Sequence, residues 1–337
     1  MEKKWSGLPY YPISQFYTNH FGGKVYKIPV TVVDNCPNRM GLKGMETCVF
    51  CDIWGSAAKS ESLSMTLDEQ IDKYHQVIEK KYKAKHFLVY FQAYTNTFTK
   101  ITQLRENFEC ALKYPFVKGL VVGTRPDCLS PAVLKLWTEF HEKSFVAVEL
   151  GVQSFFDDQL QFLKRGHTRA QSLEAIHKIA QSTPVDLGIH LMFGLPGETD
   201  EQIIETAEII NHLPITNVKL HNLHVLKHTT LEKLYLADQF IPIEREEYAR
   251  KVKLFLQYLS PQVAIHRLAA LSSRRDELIS SPWTADKMRT HQFIVDTIRS
   301  DFSYQSQLYQ PQSDQDRIAS LKLKTQSSFD KSIPHLV

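Results

Sequence analysis

Residues 25–51, VYKIPVTVVDNCPNRMGLKGMETCVFC, run from an apolar, β-branched stretch straight into a polar loop that holds three of the chain's five cysteines. The first nine residues, VYKIPVTVV (25–33), read as a strand buried on both faces. The loop cannot extend that strand: Pro37, Gly41 and Gly44 interrupt any regular element and leave the backbone free to wrap around something. A strand that delivers chemically active side chains just beyond its C-terminal end is the way a parallel α/β barrel builds a site.

The same alternation recurs outward from that stretch. HFLVYFQA (86–93), GLVVGT (119–124), FVAVELGVQ (145–153), VDLGIHLMFG (185–194) and TNVKLHNLHVL (216–226) are strand-like runs, each preceded by a helix-like segment. Six such units predict an α/β fold, a partial (β/α)6 TIM-type barrel open on one side, over residues 25–260 with the cysteine loop at 34–54. Thr66 with Glu69 makes a capping box for a helix reaching about Tyr82, and Thr199 followed by Asp200 and Glu201 marks another helix start. Further helices are expected near 244–259 and 284–299. Residues 1–24 form an N-terminal segment, and 261–300 a C-terminal extension containing the short run VAIHRLAAL (263–271). The Gln- and Ser-rich stretch 301–337 reads as a loosely ordered tail.

With 43% hydrophobic residues in 337, the chain can bury a large core, and a net charge of +3 is far from the strongly basic footprint of a dedicated nucleic-acid binder. The lysines of EKKYKAKH (79–86) read as the solvated end of a helix. No secretory signal or membrane-length apolar run is visible, which predicts a cytoplasmic protein without a membrane partner. Three crowded cysteines and two scattered ones, Cys110 and Cys128, argue for reduced thiols with a ligand role rather than a disulfide framework, the scattered pair being core thiols.

Cys36, Cys48 and Cys51, spaced C-x11-C-x2-C, suit two metal chemistries. Structural zinc wants four ligands and would have to borrow a histidine, such as His20 or His75. A [4Fe-4S] cluster held by three thiolates keeps one iron open for a small molecule. Phe50 and Trp54 stand where they would shield either centre from water. Other unusual residues gather at the same strand ends: Gln92 to Thr97, Thr124 to Asp127, Gln153, and Gly194 to Glu198.

CPNR (36–39), CVFC (48–51), YFQAYTNT (90–97), GTRPDCL (123–129), ELGVQS (149–154), RGHT (165–168), HLMFGLPGET (190–199), KLHNLHVLK (219–227) and IHR (265–267) span most of the chain. Together they resemble the radical S-adenosylmethionine (SAM) superfamily, and within it the YhcC/YtqA-like subgroup related to the catalytic subunit of Elongator. The resemblance implies that the three cysteines ligate a [4Fe-4S] cluster whose open iron chelates SAM. It further implies that an electron from a low-potential donor cleaves SAM to a 5'-deoxyadenosyl radical. It assigns Arg165 to the SAM carboxylate, Gln153 and Glu149 to the ribose hydroxyls, His190 to ribose or adenine, and Gly194 to close backbone approach. QAYTNT stands where the superfamily usually carries a glycine-rich motif, so Tyr94 and Asn96 either face substrate or close a loop.

Arg125 and Asp127 read equally as substrate contacts or an internal ion pair, and Arg267 as a substrate contact. Relatives imply a tRNA substrate modified on the wobble uridine. Arg267, Arg274, Arg275, Lys287 and Arg289 with Trp283 read either as a phosphate-and-base surface or as a helical cap. The competing functions are a radical enzyme acting on a small metabolite and a zinc-stabilised, non-catalytic binding protein.

Overall fold

Strands β1 (Val25–Val30), β2 (His86–Phe91), β3 (Val117–Thr124), β4 (Phe145–Gln153), β5 (Asp186–Phe193) and β6 (Asn217–Asn222) lie side by side in chain order, and every neighbouring pair is parallel. The structure is a computed structural model, and its described residues are 4–52, 64–272 and 274–311. Trp54 and residues 312–337 of the expected tail lie outside them.

The sheet curls into an open half-barrel with helices on its outer face. That explains the apolar continuity of the strand sequences, because alternate residues serve two cores. In β2, Phe87, Val89 and Phe91 pack outward among Phe108, Trp137 and the helical layer, while Leu88 and Tyr90 turn inward beside Val121 and Ala147. The helix starts obey the capping chemistry: Thr66 and Glu69 form a reciprocal box ahead of the helix Leu67–Tyr82, and Thr199 accepts from the backbone of Gln202 ahead of the helix Asp200–Asn211.

Four features differ from the expectation. A seventh parallel strand, β8 (Ala264–Ile265), joins the sheet beside β6, so the run VAIHRLAAL belongs to the barrel rather than to an appendage. Two paired residues are too few to leave a periodic signal. The run 216–226 splits, because β7 (Val225–Leu226) leaves the barrel to pair antiparallel with β9 (Leu278–Ser280). The N-terminal segment contains a helix, α1 (Ile13–Phe21), whose Tyr17 packs with Phe145, the first residue of β4, so α1 covers the N-terminal ends of the strands. The beginning of the polar tail is docked. Gln305 is fully buried, donating to the carbonyls of Ser260 (2.7 Å) and Val263 (2.9 Å) and accepting from the Tyr11 amide (2.8 Å). Hydrogen bonds rather than apolar burial hold it, and composition does not reveal such bonds.

Candidate active site

With α1 covering one end, the mouth at the C-terminal ends of the strands opens into a cavity of about 460 Å³. Cys36, Cys48 and Cys51 all line it. The loop carrying them is clamped at several points. Asn38, buried two residues after Cys36, donates to the carbonyls of Glu46 (2.7 Å) and Lys164 (2.6 Å), and its side-chain oxygen accepts from the Arg125 guanidinium. Between Cys48 and Cys51, Val49 donates to the Leu163 carbonyl (3.2 Å) and accepts from the Leu231 amide (2.8 Å).

The donor set suits an iron-sulfur cluster. Burial, followed by the neighbouring Cys48, pushes the Cys51 thiol up to about 11, so crowded thiolates there need a cationic centre among them. Arg165 Nη1 approaches Cys48 Sγ at 3.4 Å and Arg39 Nη1 approaches Cys51 Sγ at 4.0 Å, donors of the kind that tune cluster sulfurs. Neither histidine considered for zinc is nearby: His20 lies against Phe145 at the covered end, and His75 stacks on Phe116 at 3.7 Å. Among the described residues no group of three or more His, Cys, Asp or Glu is placed to hold a metal ion.

Arg165 also donates through Nη2 to the Gly151 carbonyl at 2.8 Å, while its Nε is buried with no partner among the described residues, a donor left for a ligand. Gln153 reaches the cavity because β4 carries a bulge between Leu150 and Gln153, and Gln153 itself adopts φ = 70°. His190, Tyr94, Arg125 and Arg267 line the same cavity. Tyr94, also at positive φ, lies under the Arg39 guanidinium, 5.5 Å from the ring centre.

Gly194, Asn96 and Asp127, also expected as contacts, sit off the wall. Gly194 is needed for packing: at φ = 84°, a β-carbon there would meet Ile243 at 2.5 Å, and its amide donates to Glu198 (2.9 Å). Asn96 closes its loop by donating to the carbonyls of Phe91 (2.8 Å), Gly123 (3.0 Å) and Ala93 (3.3 Å). Asp127 binds Arg125 through two 2.8 Å hydrogen bonds, so this pair, with Asn38, braces the cysteine loop. Arg274 pairs with Asp52 and Glu277, and Trp283 packs against Tyr248 with its Nε1 donating to the Ile243 carbonyl (3.3 Å), the geometry of a cap rather than a base-stacking surface.

Glu149 lies one layer below the wall, with both carboxylate oxygens occupied. Lys27 holds Oε1, while Tyr90 Oη (2.8 Å), His190 Nε2 (2.6 Å) and Lys219 Nζ (2.9 Å) converge on Oε2. Burial alone would raise this carboxyl, but Lys219 and Lys27 hold it well below the usual carboxylate range. Burial and then Lys219 push His190 down to about 4, so its imidazole is neutral.

Lys219, Lys27, Tyr90 and His221 belong to this interior although no motif singles them out for a role. The available signal was the alternation in β6 of Asn217, Lys219 and His221 with the apolar Val218 and Leu220, which puts the two basic residues on one face, the inner one.

Burial drives Lys219 down to about 7 against the pull of Glu149. Between that value and the unfolded lysine's roughly 10.4, the unfolded chain holds the proton more firmly, so this group makes folding more favourable as pH rises through that window. In NMR of the chain with labelled lysine, one lysine should therefore titrate near 7 and disappear in Lys219→Met. A spectrum in which every lysine titrates near 10 would overturn the assignment.

The sequence matches the radical SAM superfamily domain over residues 30–210 and the Radical_SAM C-terminal domain over 215–300. Protein YhcC of Escherichia coli is 33% identical over 271 residues, covering 80% of this chain and 86% of that protein. The tRNA uridine(34) acetyltransferase of Methanocaldococcus infernus is 27% identical over 147 residues, 43% of this chain and 27% of that one. Among solved structures, the archaeal Methanocaldococcus infernus Elp3 with an N-terminal deletion superposes with a TM-score of 0.62 at 17% identity, over 82% of this chain and 63% of that chain.

Proposed function

The chain belongs to the radical SAM superfamily, whose members bind a [4Fe-4S] cluster and SAM, and from that premise we propose that it modifies the wobble uridine of tRNA. Cys36, Cys48 and Cys51 would hold the cluster. Arg165 would take the SAM carboxylate through its unpartnered Nε, and Gln153 the ribose hydroxyls. Glu149, the other residue expected on the ribose, has its carboxylate oxygens bonded to Lys27, Tyr90, His190 and Lys219. Bound there, the two cofactors supply a low-potential electron and, through it, a carbon radical able to take a hydrogen atom from an unactivated position.

The chain's own contribution is positional. Asn38 and Arg125 fix the loop, the bulge at Gln153 aims an amide into the mouth, and the aromatic and aliphatic wall of Tyr90, Tyr94, Met192 and Leu223 limits water. A low-potential electron donor would dock near the cysteine loop. Among the described residues no helix is long and apolar enough to cross a membrane.

The observation that carries the tRNA reading is the match to a protein named for tRNA uridine(34). The test is anaerobic incubation of the reconstituted, reduced protein with SAM and tRNA from a strain lacking the gene, followed by nucleoside mass spectrometry. A mass change confined to the wobble nucleoside, with 5'-deoxyadenosine formed only when tRNA is present, is expected. Turnover driven by small metabolites and not by tRNA would sink the proposal.

A further inference from the structure

We infer that Arg267, with Lys219 and His221 beside it, forms a subsite for an oxyanion carried by the substrate. The residue comes just after the short strand β8, and its carbonyl accepts from the Leu220 amide at 3.2 Å, which fixes it against β6. Its side chain lines the cavity. The partners it has are neutral: Nε points to the Leu220 carbonyl at 3.4 Å, and Nη2 lies 2.7 and 2.9 Å from the two ring nitrogens of His221. Burial, and then Arg267 itself, keep His221 well below the usual histidine range and therefore uncharged.

No carboxylate among the described residues pairs with Arg267. The other arginines on the cavity wall differ: Arg125 has Asp127, Arg274 has Asp52 and Glu277, and Arg165 faces Cys48. Glu149 cannot serve, because Lys27, Lys219, Tyr90 and His190 already surround it. Lys27 and Lys219 take up the Glu149 carboxylate, which leaves Arg267 without a bonded carboxylate among the described residues. A half-buried guanidinium with no carboxylate bonded to it is costly, and the fold leaves it facing the cavity, where a ligand can supply that charge. A planar fork with free N–H donors matches a carboxylate or a phosphate.

The inference deepens the tRNA reading by giving the substrate an anionic group at the reacting end. Three sources of oxyanion are distinguishable: a carboxylate on the base, a backbone phosphate, and the carboxylate of SAM. The probes are anticodon stem-loops whose wobble uridine carries at C5 a carboxymethyl group, its neutral carboxamide, or hydrogen. Their binding to the full, cluster-loaded chain with SAM is read by fluorescence anisotropy.

The wild type should prefer the carboxylate over the amide by about tenfold or more, the worth of a charge-assisted hydrogen bond. Arg267→Gln should abolish that preference and Arg267→Lys should keep part of it. An Arg267→Gln variant that weakens all three RNAs equally, with a shallower salt dependence, would assign the oxyanion to a phosphate of the same substrate. One that weakens SAM binding without RNA would overturn the inference, as would equal binding of carboxylate and amide by the wild type with no effect of the variant.

If no stem-loop binds, the tRNA reading fails, and the subsite is judged by a second measurement. Sodium acetate replacing chloride at constant ionic strength should raise the melting temperature of the metal-free wild type and not of Arg267→Gln; equal responses would overturn it. The variant should fold, because it removes a half-buried charge that no carboxylate is bonded to, and its melting temperature in chloride should match or exceed that of the wild type.

Discussion

A Glu149→Gln variant of the metal-free chain should lose about 3–5 kcal/mol of stability in a guanidinium titration, the cost of removing one partner from a buried ion network. The carboxamide fills the same space and can still meet Tyr90 and His190. Its missing capacity is charge: it cannot balance Lys27 and Lys219, which both reach this one carboxylate. Lys219 has a way to relieve the loss. Already down to about 7 beside Glu149, it should titrate lower still in the variant and enter the fold neutral.

That gives the prediction a pH signature. Below pH 7 the wild-type lysine is charged and paired, while the variant must strip a proton that the unfolded chain holds ever more firmly. The stability gap should therefore widen from pH 8 to pH 6. The carboxyl of Glu149 works in the opposite range: held below its unfolded value, it contributes above about pH 4.3 and loses that contribution as pH falls through its folded value. A gap under about 1 kcal/mol with no pH trend would mean that the network is not what holds the barrel's interior together.

The barrel was legible because its strands are buried on both faces and its helices carry their caps in sequence. Thr66 with Glu69 and Thr199 with its acidic first turn begin helices where local chemistry requires. The cysteines were legible on different grounds, since three reduced thiols crowded after the first strand have little use besides holding metal. Hidden from the sequence was whatever depends on how non-neighbouring strands face one another. Glu149 looks like a strand-end acid until Lys27 from β1 and Lys219 from β6 are seen to reach it across the barrel. Gln153 points into the mouth only because of a bulge and a positive φ, which a strand sequence does not encode visibly. Gly194 fits a ligand loop by pattern, yet the space that it frees is filled by Ile243, 49 positions later in the chain. β8 escaped because its two residues are held by pairing to β6 rather than by any pattern of their own.

Anaerobically reconstituted wild-type protein should hold about four irons and matching sulfide per chain. Cys48→Ala should lose most of both, together with all SAM cleavage. Cys48 is the thiol that meets Arg165 Nη1, so its removal takes away a ligand and the anchor of a guanidinium at once. Arg165→Leu separates these roles. The three thiols remain, so iron and sulfide should stay near wild-type levels. SAM binding by equilibrium dialysis should nevertheless weaken by about tenfold or more, the loss expected for a buried charge-assisted contact. The paramagnetic resonance signal of the reduced cluster should change on adding SAM in the wild type and change little in Arg165→Leu. Stoichiometric zinc without labile sulfide in the wild type would remove the radical chemistry altogether. Loss of iron in Arg165→Leu would show instead that the guanidinium holds the cysteine loop rather than the cofactor.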